Sequence, residues 1–238
     1  MSPRQDAYTA RLQLPSRSWR LYRTGAIGKL RFQAEQLQQS GIPCFTALVT
    51  RVNTLKVYNV LYIESVEPKV TIVYEPKKGQ RDILEFAWTE VGQRVDGLLP
   101  IFEECVDVGL RGQLKRSVKT LDYGNICDLH LPEKETIIRL CDQQYRFLEG
   151  NPFSEKQKAQ DGQATMKQSW QHIMAFVTEK TPNLPTYSEF TPFGESAIDF
   201  QELLKLINPR IDLLRREETP WDAAFHLYSS LAFTKTFP

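Results

Sequence analysis

No stretch of this 238-residue chain approaches the about 18 uninterrupted apolar residues that a membrane-spanning helix requires, so no such span is expected. The opening residues, MSPRQDAYTARLQ, hold no apolar core of the kind a secretory leader needs, and none is expected there. Cysteine is scarce and scattered. Cys44, Cys105, Cys127 and Cys141 lack the close pairing of a disulfide framework and read as reduced, largely buried thiols of a cytoplasmic protein. The glycine signatures of nucleotide and hydrolase sites are missing: there is no G-x-G-x-x-G and no G-x-S-x-G. Gly28-Lys29 has Arg23 where a phosphate loop needs its first glycine and Leu30 where it needs Ser or Thr. The three histidines, His130, His172 and His226, have no catalytic company at a telling spacing. These absences exclude the common nucleotide-binding and acyl-transfer classes and leave no cofactor to expect.

Acid is nearly absent from one end. Residues 1–52 hold eight of the 30 basic residues but only Asp6 and Glu35 of the 29 acidic ones, a local net of +6. The rest of the chain carries 22 basic and 27 acidic residues, a net of −5, so the near-neutral total hides two unlike parts. The basic segment is studded with aromatics (Tyr8, Trp19, Tyr22, Phe32), and Arg17, Arg20 and Arg23 recur every third residue with Trp19 and Tyr22 between them. Arginines fork onto phosphates or carboxylates, and aromatic rings stack on unpaired bases. Arg17, Trp19, Arg20, Tyr22, Arg23, Lys29 and Arg31 are therefore the candidate nucleic-acid-binding residues. Equally, the acidic remainder of the chain could absorb this charge internally. Arg111, Lys115, Arg116 and Lys119 form a second, smaller basic cluster.

Periodicity supplies a coarse fold. Tyr8–Leu14 alternates as a strand. Thr24 is placed to cap a helix through Ile27, Leu30, Ala34 and Leu37, which Gly41 and Pro43 stop. Phe45–Val52, Lys56–Ile63 and Val70–Tyr74 are rich in β-formers, with Asn53-Thr54 as a hairpin turn. Leu84, Trp88, Val91 and Val95 recur helically, although Ile83–Trp88 also reads as a strand. Leu98–Val118 is ambiguous, with Pro100 able to open a helix. Ile137, Ile138, Cys141, Tyr145 and Leu148 predict a helix after Pro132, and Met166–Val177 predicts another. Glu179–Ser196, with its prolines, reads as a long connection, and further helices are expected from Ile198 and from Thr219-Pro220. The expected class is α+β: an N-terminal antiparallel or mixed sheet with one packed helix in β-α-β-β-β order, then a mostly helical C-terminal half. The expected division is 1–130 and 131–238, able to pack as one unit.

Two constellations could carry metal chemistry. Glu64 ends the second strand of the run, Glu75-Pro76-Lys77 ends the third, and Glu35 lies on the preceding helix. Over about Thr24–Val95 this order resembles the PD-(D/E)xK nuclease core. That resemblance implies carboxylates holding a divalent ion, with Lys77 assisting the attacking water. The same tripeptide, followed by Lys78-Gly79, also reads as an ordinary hairpin turn. Cys127, His130 and Cys141, with Asp142 adjacent, offer zinc-type ligands but lack the second ligand pair of a structural site, so no metal is expected. The function expected is that of a non-enzymatic binding or assembly subunit. Its basic N-terminal surface would hold nucleic acid or an acidic protein within a larger complex, alongside other protein subunits and away from membranes. The divalent-metal nuclease and a purely structural protein are the alternatives.

Overall fold

The structure is a computed structural model that describes residues 19–77, 79–108, 114–149, 165–207 and 220–237, the side chains of 102–121 excepted. The expected strand Tyr8–Leu14 lies outside the described residues, as do Arg17 and Arg111. In chain order the elements are α1 (Ile27–Gln39), α2 (Val49–Thr54), β1 (Lys56–Ser65), β2 (Val70–Lys77), β3 (Gln80–Phe86), β4 (Gln93–Val108), β5 (Leu114–Leu131), β6 (Thr136–Cys141), α3 (Met166–Lys180), β7 (Thr186–Tyr187), α4 (Phe190–Ala197), α5 (Gln201–Leu204) and α6 (Pro220–Thr236).

A seven-stranded mixed sheet occupies the middle of the chain, in the order β3-β2-β1-β6-β5-β4-β7, and the helices lie mainly towards the two ends. Neighbours are antiparallel except β1 with β6 and β4 with β7. This corrects the expected β-α-β-β-β order and the expected helical C-terminal half. The segment read as a helix after Pro132 is strand β6, buried at every position and wedged between β1 and β5. A strand covered on both faces shows an unbroken apolar run, which periodicity alone cannot tell from a buried helix. The β-branched run Thr136-Ile137-Ile138 was the strand signal. Phe45–Val52 fails in the opposite sense: its end winds into α2, where buried Val52 joins the core beneath α6. The helical spacing of Leu84, Trp88, Val91 and Val95 spans β3, a short 3-10 turn at Trp88–Glu90, and the start of β4.

Within Leu98–Val118 the described residues, 98–108 and 114–118, belong to the distal parts of β4 and β5, which pair with each other and outrun their neighbours. β6 pairs with β5 only over residues 126–131, and β7 pairs with β4 only at Arg94 and Val95. The Arg94 N–H donates outward to the Pro185 carbonyl at 2.9 Å, so the even-numbered positions nearby point to the open edge. Pro100 falls in that register, where a missing N–H costs no ladder bond.

Each face of the sheet is covered. On one, Trp170, Ile173 and Val177 of α3 pack with Val60, Cys127, Leu129, Ile138 and Leu140. On the other, Phe225, Ala224 and Tyr228 of α6 pack with Val95, Leu99 and Ile126, backed by Phe190 and Phe193 of α4. Gly97 makes this approach possible, because a Cβ there would stand 2.5 Å from the Phe225 ring. No helix among the described residues is long and apolar enough to cross a membrane.

Candidate functional site

The chain between Trp19 and Phe45 leaves and rejoins the body at one aromatic clamp. The Trp19 ring lies 5.4 Å from Phe45, 5.0 Å from Tyr187 and 5.7 Å from Tyr228, with the Lys235 ammonium 4.6 Å from its centroid. The Leu21 N–H donates to Ser196 Oγ at 2.9 Å. Between these anchors, residues 22–44 contain no buried position. α1 starts after Ala26 with no side-chain cap, so Thr24 does not play the capping part expected of it. Its end is well made: Gly41 turns at φ +80°, and the N–H groups of Gly41 and Ile42 return to the Gln38 and Leu37 carbonyls, both at 2.9 Å. The outgoing chain then folds back along the helix, with Gln38 Nε2 donating to the Cys44 carbonyl at 2.8 Å.

The candidate binding residues divide on this frame. Trp19 is an anchor of the clamp, and Arg20 is half-buried beside it. Tyr22 is 71% exposed and carries the Arg23 guanidinium 6.0 Å from its ring centroid. Lys29 and Arg31 are exposed on α1. Among the described residues, no ion pair joins Arg23, Lys29 or Arg31 to a carboxylate. Phe32, one of the aromatics of the basic segment, lies outside the set expected to bind. It is 61% exposed on the side of α1 away from Leu30, Ala34 and Leu37. Ile42, Phe45 and Leu48 add further exposed apolar surface to the same stretch. The available signal was an aromatic in the polar stripe of an amphipathic helix.

The acids of the nuclease-like motif are not brought together. β1 pairs Ile63 with Ile72 and Ser65 with Thr71, which sets exposed Glu64 at the start of β2. Glu75 stands three residues beyond Ile72, about 10 Å further along the strand. Its carboxylate accepts from the Gly79 N–H and closes the β2–β3 turn, at which Lys77 pairs with Gln80. Glu35 is exposed on α1. Cys127 and His130, an odd number of residues apart on β5, sit on opposite faces of the sheet, while Cys141 packs on the α6 side. No group of three His, Cys, Asp or Glu side chains among the described residues could hold a metal ion. Burial pushes the Cys127 thiol far above its ordinary range and Cys141 to about 12, so neither is a ready thiolate.

A polar network that no spacing in the sequence announces is sealed between the sheet and α6. Alternation along β5 turns Asp128 and His130 to that side, and the β5–β6 register sets Asp128 opposite Arg139. Arg139 grips the carboxylate through Nε at 2.8 Å and Nη2 at 2.6 Å, with both side chains fully buried. The Ser229 hydroxyl donates to Asp128 Oδ2 at 2.6 Å. Since that uses its only proton, the His130 Nε2–H must donate to Ser229 Oγ, 2.9 Å away, leaving Nδ1 to accept from Gln93 Nε2 at 3.1 Å. His226 Nδ1 lies 3.4 Å from Arg139 Nη2. Burial drives His130 down to about 4, so the ring is neutral in ordinary buffers. Serine, histidine and aspartate are all present, but no imidazole lone pair faces the serine. The set is thus arranged to dock α6, not to activate a nucleophile.

A cleft of about 230 Å³ opens where β7 leaves β4, lined by Arg94, Asp96, Asn125, Trp170 and Met174 among others. Arg94 is tied down in its wall, with Nε donating to Asp96 and Nη1 to Thr178, both at 2.8 Å. Comparison of the chain with protein-family models, with curated proteins and with solved structures finds no match.

Proposed function

We propose that this protein is a non-enzymatic binding or assembly subunit that uses the excursion at residues 22–44 to hold an anionic partner, foremost an acidic protein surface. One observation carries the reading. A 13-residue helix buries none of its residues, and its Lys29 and Arg31, like Arg23 before it, have no ion pair among the described residues. Isolated helices shorter than about 12–15 residues are marginal in water, so such an element gains its full order against a partner. Exposed Tyr22, Phe32, Ile42 and Leu48 offer the apolar centre of an interface, and the basic groups supply its rim. Nucleic acid is the second reading, favoured by the Arg23–Tyr22 stack, which presents a cation and a ring face to a base and its phosphate. The site of action is the cytoplasm, in keeping with the free thiols of Cys44, Cys127 and Cys141.

A photo-crosslinking residue in place of Phe32, used in the native cell, tests the reading. An acidic protein or nucleic acid should be trapped there, and replacing Arg23, Lys29 and Arg31 by alanine should remove it. Crosslinks confined within single copies of the chain, or indifferent to those replacements, would reject the proposal.

A further inference from the structure

The counter-charge that the excursion lacks is present elsewhere on the same chain. From residue 181 to 204 there is no Lys or Arg, while Glu189, Glu195, Asp199 and Glu202 all fall within that stretch and all are exposed. Glu202 is paired with Lys205 at 2.6 Å; among the described residues Glu189, Glu195 and Asp199 have no ion pair. This ridge runs along α4 and the 3-10 turn after it, and it abuts the start of the excursion: Leu21 is hydrogen-bonded to Ser196, next to Glu195. Each protomer thus presents a basic, apolar-centred arm and an acidic ridge side by side.

We infer that the protein self-associates, the α1 arm of one copy lying on the Glu189–Asp199 ridge of a second. This rests on the docking reading of the arm and names a second copy as its acidic partner. Two surfaces that are complementary to each other but not to themselves, set close together on one molecule, are satisfied reciprocally around a two-fold axis. A helix of 13 residues spans about 20 Å, and two-fold symmetry makes the contact twice. Tyr22 and Phe32 would occupy the dry centre, with Arg23, Lys29 and Arg31 meeting the carboxylates around it.

Sedimentation velocity on the full chain tests this. The unaltered protein should dimerise at low salt, and dimerisation should weaken at least tenfold when salt screens the rim. R23E/K29E/R31E and E189K/E195K/D199K should each be monomeric, since one carries two acidic surfaces and the other two basic ones. Mixing the two should restore a dimer, because each arm then meets an opposite ridge, a rescue that misfolded variants would not give. A chain that stays monomeric at every concentration, or a dimer that survives both reversals, overturns the inference. If the monomer still yields Phe32-site crosslinks to another macromolecule, the docking reading stands while the second copy is ruled out as the partner.

Discussion

The rings of Trp19 and Phe45 meet edge to face at 5.4 Å, so the chain between them departs from and returns to a single point on the body. Residues 22–44 are thereby a closed, folded arm, with the charges of Arg23, Lys29 and Arg31 exposed away from the core. Lys235, at the end of α6, lies over both rings and ties the base of the arm to the central helix.

Trp19→Ala should remove this clamp. Its ring touches three others and sits against the main core, so the loss should cost about 2–4 kcal/mol in urea denaturation. Limited proteolysis between residues 22 and 44 should quicken in the same variant.

Phe32→Ala should leave stability within about 0.5 kcal/mol, since the residue is mostly exposed and packs on no core. Partner affinity should nevertheless fall by about 2 kcal/mol, roughly thirtyfold, if the ring anchors the interface. Denaturation and binding measured on the same preparation separate the two effects.

Arg139→Met should destabilise by about 3–5 kcal/mol, because it strands the buried Asp128 carboxylate without its cation. Ser229→Ala, which removes one hydrogen bond to Asp128 and one from His130, should cost about 1–3 kcal/mol. Equilibrium unfolding checks both values.

His130 gives the protein an acid-sensitive term. Its folded pKa, about 4, lies below its ordinary 6.5, so the unfolded chain binds the extra proton first. The contribution is whole above pH 6.5 and is lost as pH falls through the window towards 4, amounting to about 3 kcal/mol at the bottom. Stability measured across that window should rise with pH, and His130→Gln should flatten the slope.

The parts of the fold legible in the sequence were those with one-sided burial or clear caps. Met166–Lys180 shows its apolar stripe and is capped by Thr165, whose Oγ1 accepts from the Gln168 N–H. Pro220 opens α6 where expected. β6 was hidden because both its faces are covered, and the polar network because its members come from β4, β5, β6 and α6. Only the strand register brings Asp128 to Arg139, and only tertiary packing brings Ser229 to both Asp128 and His130. The basic face was legible as composition. Which of its residues anchor and which stand free was not, since Trp19 and Tyr22 look alike in sequence and differ only in what Phe45, Tyr187 and Tyr228 place around them.

The central claim is that α1 is a docking element that awaits a partner. Amide hydrogen exchange along residues 27–39 tests it most directly, comparing dilute full-length protein at high salt with the assembled form. Rapid exchange in the dilute protein, slowing at least tenfold on assembly while α3 and α6 stay protected in both, is the expected result. Slow exchange of the α1 amides in the dilute protein, matching α3 and α6, would contradict the claim.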